Sequence, residues 1–298
     1  MSAASETRHN IYNKEGYDIQ EKNLIDLKRL AVNIRLETVK QFKARGFGHV
    51  GGSLSVADML AVLYGAAMRY DPKNPSWEDR DYLILSKGHA GPALYSALAL
   101  KGFFPVDWLA TLNQPGTRLP SHSDRKLTPG VDMTTGSLGQ GLSVACGVAL
   151  ALKSNGKPNK VYVILGDGEC NEGQVWEAAL FAAHHKLDKL IVLVDYNSKQ
   201  LDGTLDEVLE LGDLAAKFRE FGFSVQTVNG NDVEEVLPAV EHARGESNKP
   251  SLIVCKTIKG AGLRSVEETE KNHHLTVDEE FADRSIEELK QCLRGMSL

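Results

Sequence analysis

Several familiar signatures are scarce in this sequence. It has only four cysteines, and no two of them form a Cys-x-x-Cys pair, so the sequence predicts neither a zinc site nor a disulfide framework. Three of the four lie in or next to apolar stretches, and we expect these three to be buried thiols. The cysteines are Cys146, Cys170, Cys255 and Cys292.

Membrane, secretion and nucleic-acid signals are also missing. No run approaches the ~18 apolar residues that a membrane-spanning helix needs. The start of the chain, MSAASETRHNIYNKEGYDIQ, is polar throughout and lacks the apolar core of a signal peptide. Basic side chains number 34 against 40 acidic ones, a formal charge of −6, which argues against a nucleic-acid or anionic-membrane partner. We therefore expect a cytoplasmic protein that binds neither.

What the sequence does contain is an alternation of apolar strands with helices. With 298 residues, 42% of them hydrophobic, the chain is long enough to bury a substantial core. Apolar runs predict strands at 82–86, 161–165, 190–196, 223–228 and 251–257. Helical periodicity predicts helices at about 21–44, 53–70, 91–100, 139–153, 173–186, 211–221, 232–244 and 278–293. The pattern indicates an α/β fold, a mostly parallel sheet with helices on both faces.

Polar residues follow two of these strands directly. Gly-Asp-Gly comes after VYVIL, with Asp167 at its centre, and Asn197 ends LIVLVDY thirty residues later. In open α/β sheets, ligands bind outside the carboxyl ends of the strands. Carboxylate and amide oxygens suit Mg²⁺ or Ca²⁺, and glycine lets the backbone approach a phosphate. Gly-Asp-Gly alone is typical of ordinary turns, whereas the distant asparagine makes a metal–diphosphate site the more specific interpretation.

The motif residues carry a resemblance to the transketolase family. GDGECNEG…DYNSKQLDG is similar to the thiamin diphosphate-binding motif in its transketolase version. Three further segments resemble transketolase motifs in the family's order and spacing: GFGHVGGSLSVADMLAVLY (46–64), LSKGHAGPALYSALALKGFF (85–104) and LPSHSDRKLTPGVDMTTGSLGQGLS (119–143). The resemblance implies a thiamin diphosphate-binding fold. We expect one domain over residues 1–298, with an N-terminal helical arm at about 1–45 and a C-terminal tail at about 260–298.

The resemblance implies a role for each matching residue near the diphosphate. Asp167 and Asn197 would bind Mg²⁺ (or Ca²⁺) through their side chains, and Lys199 would bind it through its backbone carbonyl. Gly168 and His89 would donate hydrogen bonds to the cofactor diphosphate. The rings of the cofactor would be lined by Gly136, Leu138 and Leu201.

Three histidines would face the sugar substrate by the same resemblance: His49, His122 and His273. Imidazoles suit this task because their pKa values lie near neutrality. The family has a His-Gly pair at the last position, whereas this chain has His273-His274, so the choice between the two stays open.

Other polar side chains are less specific. Glu172 and Glu177 would lie near a dimer interface, in an acidic chain that connects two active sites, although a solvated helix face is the alternative. His184 and His185 lie within a predicted helix without a motif, and we expect them to be structural or exposed.

The resemblance covers only the first domain of a usual transketolase, which is more than twice this length. The second domain supplies the glutamate that activates thiamin, and much of the sugar-phosphate contact. We therefore expect an N-terminal subunit of a two-polypeptide transketolase, active only with a partner that carries the pyrimidine-binding and C-terminal domains, in an α2β2 heterotetramer. It would transfer a two-carbon ketol (glycolaldehyde) unit from a ketose, expected to be a phosphate, to an aldose.

Three alternatives remain at this point. Two are other thiamin diphosphate enzymes, namely a deoxyxylulose phosphate synthase or the α chain of a 2-oxo-acid dehydrogenase. The histidine-bearing motifs favour transketolase over both. The third is a non-catalytic α/β binding module, which need not retain the metal-binding residues.

Overall fold

The elements of the fold follow the alternation seen in the sequence. A computed structural model describes residues 16–296, with side chains from residue 23 onward. The strands are β1 (Phe47–Gly48), β2 (Tyr82–Leu85), β3 (Val161–Gly166), β4 (Leu190–Tyr196), β5 (Ser224–Asn229), β6 (Ser251–Lys256) and β7 (Leu275–Thr276). The α-helices are α1 (Gly16–Arg45), α2 (Val50–Leu54), α3 (Ala57–Val62), α4 (Gly91–Leu100), α5 (Gln140–Ser154), α6 (Gly173–His184), α7 (Leu205–Val208), α8 (Leu214–Phe221), α9 (Val233–Gly245), α10 (Arg264–Glu267) and α11 (Glu279–Gly295).

A five-stranded parallel sheet forms the centre of the molecule. Its strand order is β2-β3-β4-β6-β5, and every neighbouring pair is parallel. β3 and β4 lie side by side, with Gly166 opposite Asp195 at their carboxyl ends. The predicted α/β fold is thereby confirmed, and the strands that precede Asp167 and Asn197 are neighbours.

Helices cover both faces of the sheet. Since successive strand residues point to opposite sides, each strand contributes side chains to a hydrophobic cluster on each face. One hydrophobic cluster takes Ile191 and Leu193 from β4 and includes residues of α1, α3, α4 and α9. The other takes Val192 and Val194 from β4 and includes residues of α5, α6 and α8. Both alternating sets are fully buried, which explains why the strand reads as a continuous apolar run rather than as a polar–apolar alternation.

The cysteine prediction is also confirmed. Cys146, Cys170 and Cys255 are buried free thiols, while Cys292 is exposed on α11. Burial raises the pKa of the Cys146 thiol to about 12, so this side chain is a neutral hydrophobe at physiological pH.

The helix predicted at 53–70 was wrong as a single element. Helical structure begins at Val50 rather than at a serine cap, breaks between α2 and α3, and ends in a π-helical turn at Leu63–Ala67. Ser55 is not the N-cap of α3. Its hydroxyl instead donates a hydrogen bond to the buried Asp195 carboxylate, at 2.7 Å. The break between α2 and α3 therefore coincides with a tertiary contact, between Ser55 and Asp195, that helical periodicity in the sequence does not reveal.

This broken segment is also more apolar than the sequence analysis allowed. Within the described residues, Val50–Ala67 has the length and hydropathy of a membrane span, and 89% of the window is buried inside the molecule. An apolar segment packed within a protein core passes the same test. The expectation that no run approaches such a span was therefore too strict for this stretch.

A second, two-stranded sheet joins distant parts of the chain. β1 pairs antiparallel with β7, with Phe47 opposite Thr276 and Gly48 opposite Leu275. Next to it the Gly51 N–H donates to the Asn272 carbonyl at 3.0 Å, and a Cβ at Gly51 would lie only 2.4 Å from that oxygen. The glycine thus permits a backbone approach that any side chain would block.

The predicted arm and tail meet each other in the structure. α1 covers the described part of the arm, and α11, which lies in the predicted tail, packs along it. Residues 1–15 of the arm lie outside the described part of the chain. The division of residues 1–298 into one domain with an arm and a tail stays a prediction.

Candidate active site

Asp167 and Asn197 meet at the carboxyl edge of the sheet. Asp167 follows β3 and is buried, and Asn197 follows β4. The Asp167 carboxylate accepts the N–H of Gly168 and of Asn197, both at 2.8 Å, and that of Ser198 at 2.5 Å. One carboxylate therefore holds the turns that follow both strands.

The turn after β4 is strained, and Asp167 maintains it. Ser198 has φ of 61°, in the left-handed region that a non-glycine residue adopts at a cost of about 1–3 kcal/mol. Burial raises the pKa of Asp167 to about 6, with the Asp195 charge adding to the shift, while N–H donors such as Gly168 and Ser198 act against it. A divalent cation beside this carboxylate would favour its ionised form.

The Asn197 side chain is oriented by two hydrogen bonds. Its Nδ2 donates to Asp195 Oδ2 at 3.2 Å, and its Oδ1 accepts the Lys199 N–H at 3.2 Å. With the amide nitrogen held by Asp195, the amide oxygen is the atom available to a cation. The Lys199 carbonyl, the third predicted ligand, accepts from Lys259 Nζ at 2.7 Å.

Asp195 is the most heavily bonded buried charge at the site. Besides Asn197, it accepts from Ser55, from Thr257 and from the ammonium group of Lys87. Asp195 is fully buried and Lys87 is 2% exposed, so the pair is shielded from water. Lys87 also donates to the Gly52 carbonyl at 3.0 Å. Sequence reasoning missed both residues, although Lys87 lies within the quoted SKGH segment.

The three histidines predicted to face the substrate, together with His89, form a cluster around His49. Its ring centroid lies 5.4 Å from that of His89, 5.8 Å from that of His122 and 5.3 Å from that of His273. His89 and His273 are also neighbours, at 5.0 Å. All four predicted histidines thus come together from four separate segments of the chain, one of which is the segment after β2 that carries His89.

The pairing of β1 with β7 brings His273 to this cluster. His49 follows β1, and His273 and His274 precede β7, so the antiparallel ladder brings both of these imidazoles next to His49. His273 is half-buried, and its Nδ1 lies 3.1 Å from Lys259 Nζ. His274 also lies near His49, at 5.1 Å, but it is exposed and packs against Phe47. The geometry favours His273, because only this imidazole also contacts His89 and Lys259.

The cluster is electropositive, and its imidazoles are neutral at physiological pH. Burial lowers the pKa of His49 to about 4 and that of His273 to about 3, and Lys259 and Lys87 contribute to both shifts. The pKa of His89 is lowered well below its usual value by the same causes. Burial, with Lys87 adding to the effect, lowers the pKa of Lys259 to about 8. Two lysines close to a group of half-buried imidazoles form an environment suited to an anion.

The loop that carries Gly136 and Leu138 lies against the histidine cluster. A Cβ at Gly136, which has φ of 144°, would approach the His122 ring to 3.2 Å. The Leu138 side chain is 37% exposed, beside a cavity of about 220 Å³ whose lining includes Thr135 and Ser137. Leu201, predicted to pack near the cofactor rings, is 63% exposed in the single chain.

Glu169 connects three of the motif segments and was also missed by sequence reasoning. Its buried carboxylate accepts from the Ser86 hydroxyl, from the Gly139 N–H at 2.9 Å and from the Gly166 N–H at 3.0 Å. These donors belong to the SKGH, TTGSLGQG and GDG segments. A glutamate two residues after Asp167 was the available signal, but two of its three partners, Ser86 and Gly139, lie far away in sequence.

The remaining acidic and histidine predictions fall on α6 and the turn before it. Glu172 and Glu177 are both exposed in the single chain, which leaves an interface and a solvated helix face equally open. His184 is exposed and His185 packs against Phe181, away from the four-histidine cluster. The expectation that these two are structural or exposed agrees with that position.

The donors at the sheet edge fit a diphosphate with a divalent cation. Asp167, Asn197 and the Lys199 carbonyl offer hard oxygen atoms, the set that Mg²⁺ and Ca²⁺ bind. Within the described part of the chain, no group of three His, Cys, Asp or Glu side chains has metal-binding geometry, so a cluster of the zinc type is not formed there. Lys87, Lys259 and His89 supply the positive and hydrogen-bonding groups that a diphosphate needs.

Comparison with known proteins decides the family. A family model described as "Transketolase, thiamine diphosphate binding domain" matches residues 26–294. This chain belongs to the transketolase family. It has the fold of the thiamin diphosphate-binding domain, and the transketolase resemblance of its motifs is confirmed.

Relatives of this transketolase chain include proteins of similar, slightly shorter length. The 6-deoxy-6-sulfo-D-fructose transketolase subunit SqwG of Clostridium sp. (strain MSTE9) is 50% identical, over 90% of this chain and 97% of the relative. An apulose-4-phosphate transketolase subunit of Actinobacillus succinogenes is 38% identical, over 92% and 97%. The match favours a transketolase subunit over the two other thiamin enzymes and over a non-catalytic module.

Solved transketolases share the fold but are longer. The transketolase of Campylobacter jejuni superposes with a TM-score of 0.83 at 34% identity, covering 89% of this chain and 42% of that one. A transketolase from Leishmania mexicana gives 0.80 at 31% identity, with 91% and 45% covered. This chain therefore corresponds to less than half of a single-chain transketolase.

The Lys87–Asp195 pair gives a stability prediction. Replacing Asp195 by Ala leaves the Lys87 ammonium group buried without its carboxylate, and we expect a loss of about 3–5 kcal/mol in the free energy of unfolding. The control is Glu234→Ala, which breaks the exposed pair with Lys28 and should cost less than about 1 kcal/mol. Urea unfolding of both variants measures the difference, and equal losses would contradict the importance of the buried pair.

Proposed function

We propose that this transketolase chain binds thiamin diphosphate and a divalent cation at the β3–β4 edge and works as half of a two-chain enzyme. The observation that carries the proposal is the joining of the Asp167–Asn197 edge to the four-histidine cluster through Lys87, Asp195 and Lys259. The complete enzyme would move a two-carbon ketol unit from a ketose to an aldose. A cytoplasmic location stays a prediction.

Cation and diphosphate would be held by neighbouring groups. Asp167 Oδ, Asn197 Oδ1 and the Lys199 carbonyl would bind Mg²⁺ (or Ca²⁺), and the second lone pair of that carbonyl could still accept from Lys259 Nζ. The remaining N–H groups of this ammonium would be available to a phosphate oxygen. Gly168 N–H and His89 would donate to the same diphosphate, whose charge would offset the positive potential of the two lysines.

Substrate contacts would come from His49, His122 and His273. Bound thiamin diphosphate supplies the nucleophilic carbon with which transketolases break a ketose C–C bond. The imidazoles would donate to sugar hydroxyls, or accept a hydroxyl proton at the nitrogen left free. Since burial and the nearby lysines keep His49 and His273 neutral, each has one ring nitrogen able to accept.

Exposed apolar side chains support the need for a partner. Leu180 and Phe181 on α6, and Leu201, Val208 and Leu209 after β4, are exposed in the single chain. Large apolar side chains at a surface are typical of a protein–protein interface. A partner with the pyrimidine-binding and C-terminal domains would cover them, and an α2β2 heterotetramer is the assembly we propose.

The donor sugar would carry a terminal anion. The names of two relatives include a sulfonated fructose and apulose 4-phosphate, so each of those proteins is named for an acidic sugar. We infer a ketose with a terminal phosphate or sulfonate group for this enzyme too. Comparing the two donor types on the assembled enzyme distinguishes them.

Reconstitution tests the two-chain proposal. The chain is assayed for ketol transfer with thiamin diphosphate and Mg²⁺, alone and with a purified second chain that carries the missing domains. We expect turnover only in the mixture, because the acid–base group that activates thiamin would come from the partner. Robust turnover by the chain alone would overturn the proposal.

Asp167 provides a test of the metal assignment. Asp167→Ala removes a charged ligand from the proposed site, and we expect the Mg²⁺-dependent affinity of the assembled complex for thiamin diphosphate to fall by at least ten-fold. Calorimetry with and without Mg²⁺ measures this. Asp206→Ala, on the exposed helix α7, is the control and should keep the affinity. Unchanged cofactor affinity in the Asp167 variant would refute the assignment.

Two single substitutions distinguish the roles of the adjacent residues His273 and His274. We expect His273→Ala to lower kcat/KM about 10²–10⁴-fold, the usual size of a general acid–base contribution, because His273 lies against His49, His89 and Lys259. His274→Ala should lower it less than ten-fold, because that ring is exposed. Steady-state kinetics of the assembled variants gives both values, and the reverse order would assign the role to His274.

A further inference from the structure

A second polar cavity lies away from the histidine cluster. It measures about 310 Å³ and is lined from three segments, around residues 75–80, at 118 and at 125–132. We call it the arginine pocket and define it by Arg80, Arg118, Arg125, Lys126 and Asp132. No role was assigned to it by the motifs or by the site described above.

The arginine pocket lies at the opposite end of β2 from the diphosphate groups. Arg80 precedes β2, while Lys87 and His89 follow it. The Leu83 N–H, near the start of the strand, donates to Asp132 Oδ2 at 2.8 Å. At about 3.3 Å per residue, the start and the far turn of this strand are on the order of 15 Å apart. A molecule in the pocket would therefore not occupy the diphosphate groove.

The charges lining the pocket are poorly balanced. Asp132 is its single lining carboxylate, and it is already engaged by Arg80, with Oδ1 at 2.7 Å from Nη2 and 3.2 Å from Nε. Among the described side chains, none forms an ion pair with Arg118, Arg125 or Lys126. Arg125 also interacts electrostatically with Asp132, but one carboxylate cannot balance the four lining cations, so the cavity keeps a net positive charge in a chain whose formal charge is −6.

The walls of the pocket are fixed by contacts that leave these cations free. Arg118 lies over the Trp108 ring, 5.2 Å from its centroid, and its carbonyl accepts from the buried Thr128 hydroxyl at 2.5 Å. The Arg125 N–H donates to Thr134 Oγ1 at 3.1 Å, so the backbone rather than the guanidinium holds that turn. An aromatic face orients Arg118 without neutralising it.

We propose that the arginine pocket binds a small anion with a phosphate head at a site separate from the diphosphate groove. Guanidinium groups match such heads with paired hydrogen bonds, and the volume suits a small organic molecule. The ligand is either free inorganic phosphate or a phosphorylated sugar, which share this head. His122 lies in the same loop, between Arg118 and Arg125. A ligand in the arginine pocket would therefore also change the surroundings of the histidines proposed to face the substrate.

The test is a titration of the isotope-labelled full-length chain, followed by amide NMR at constant ionic strength. Inorganic phosphate and glucose 6-phosphate are the two probes. We expect saturable shifts for amides at 118 and 124–132 with both. Tighter binding of glucose 6-phosphate identifies a phosphorylated sugar as the ligand, and equal binding identifies free phosphate; either result supports the proposal.

Two variants distinguish specific binding in the arginine pocket from nonspecific electrostatic attraction to the protein. The R118Q/R125Q double variant removes two cations and should weaken the binding at least ten-fold. R284Q changes an exposed arginine on α11 and should bind like the parent. R125Q alone serves if the double variant does not fold. The proposal is overturned by shifts confined to residues 166–168 and 197–201, by shifts that do not saturate, or by equal affinity in the parent and the pocket variants.

Discussion

One buried carboxylate, Asp195, joins the parts of the site that the chain supplies from far-apart segments. It bonds Lys87 from the end of β2, Ser55 from the break between α2 and α3, Thr257 after β6, and Asn197. A buried charge is costly unless its partners are all in position. The interruption of the helix, the orientation of the Asn197 amide and the position of the lysine therefore depend on one another.

Lys87 and Lys259 give the cleft beside the histidine cluster a positive electrostatic potential. Burial lowers the pKa of His49 and of His273, and the charges of Lys87 and Lys259 add to both shifts. Such an arrangement is unfavourable for the isolated fold, and binding of a polyanion relieves it. Because a ligand that binds only the folded state stabilises that state by mass action, cofactor occupancy and folding stability should rise together.

The sequence predicted the features that depend on local pattern. Continuous apolar strands revealed the parallel sheet, and the parallel sheet implied that Asp167 and Asn197 share an edge. The histidine positions came from motif resemblance. The β1–β7 ladder could not be foreseen, because two-residue strands have no periodicity. Asp195 and Glu169 were missed for a related reason, since both read as ordinary residues until their distant donors are known.

The β1–β7 ladder has a consequence for biosynthesis. Phe47 and Thr276 lie towards opposite ends of the described residues, so most of the chain between those ends must be synthesised before they can pair. Contacts of such long sequence separation form slowly, because their loop-closure entropy must be overcome. His273 can join His49 only after that pairing. A nascent or truncated chain could therefore form its parallel sheet, yet it would lack the histidine cluster until the segment with His273 and β7 had left the ribosome.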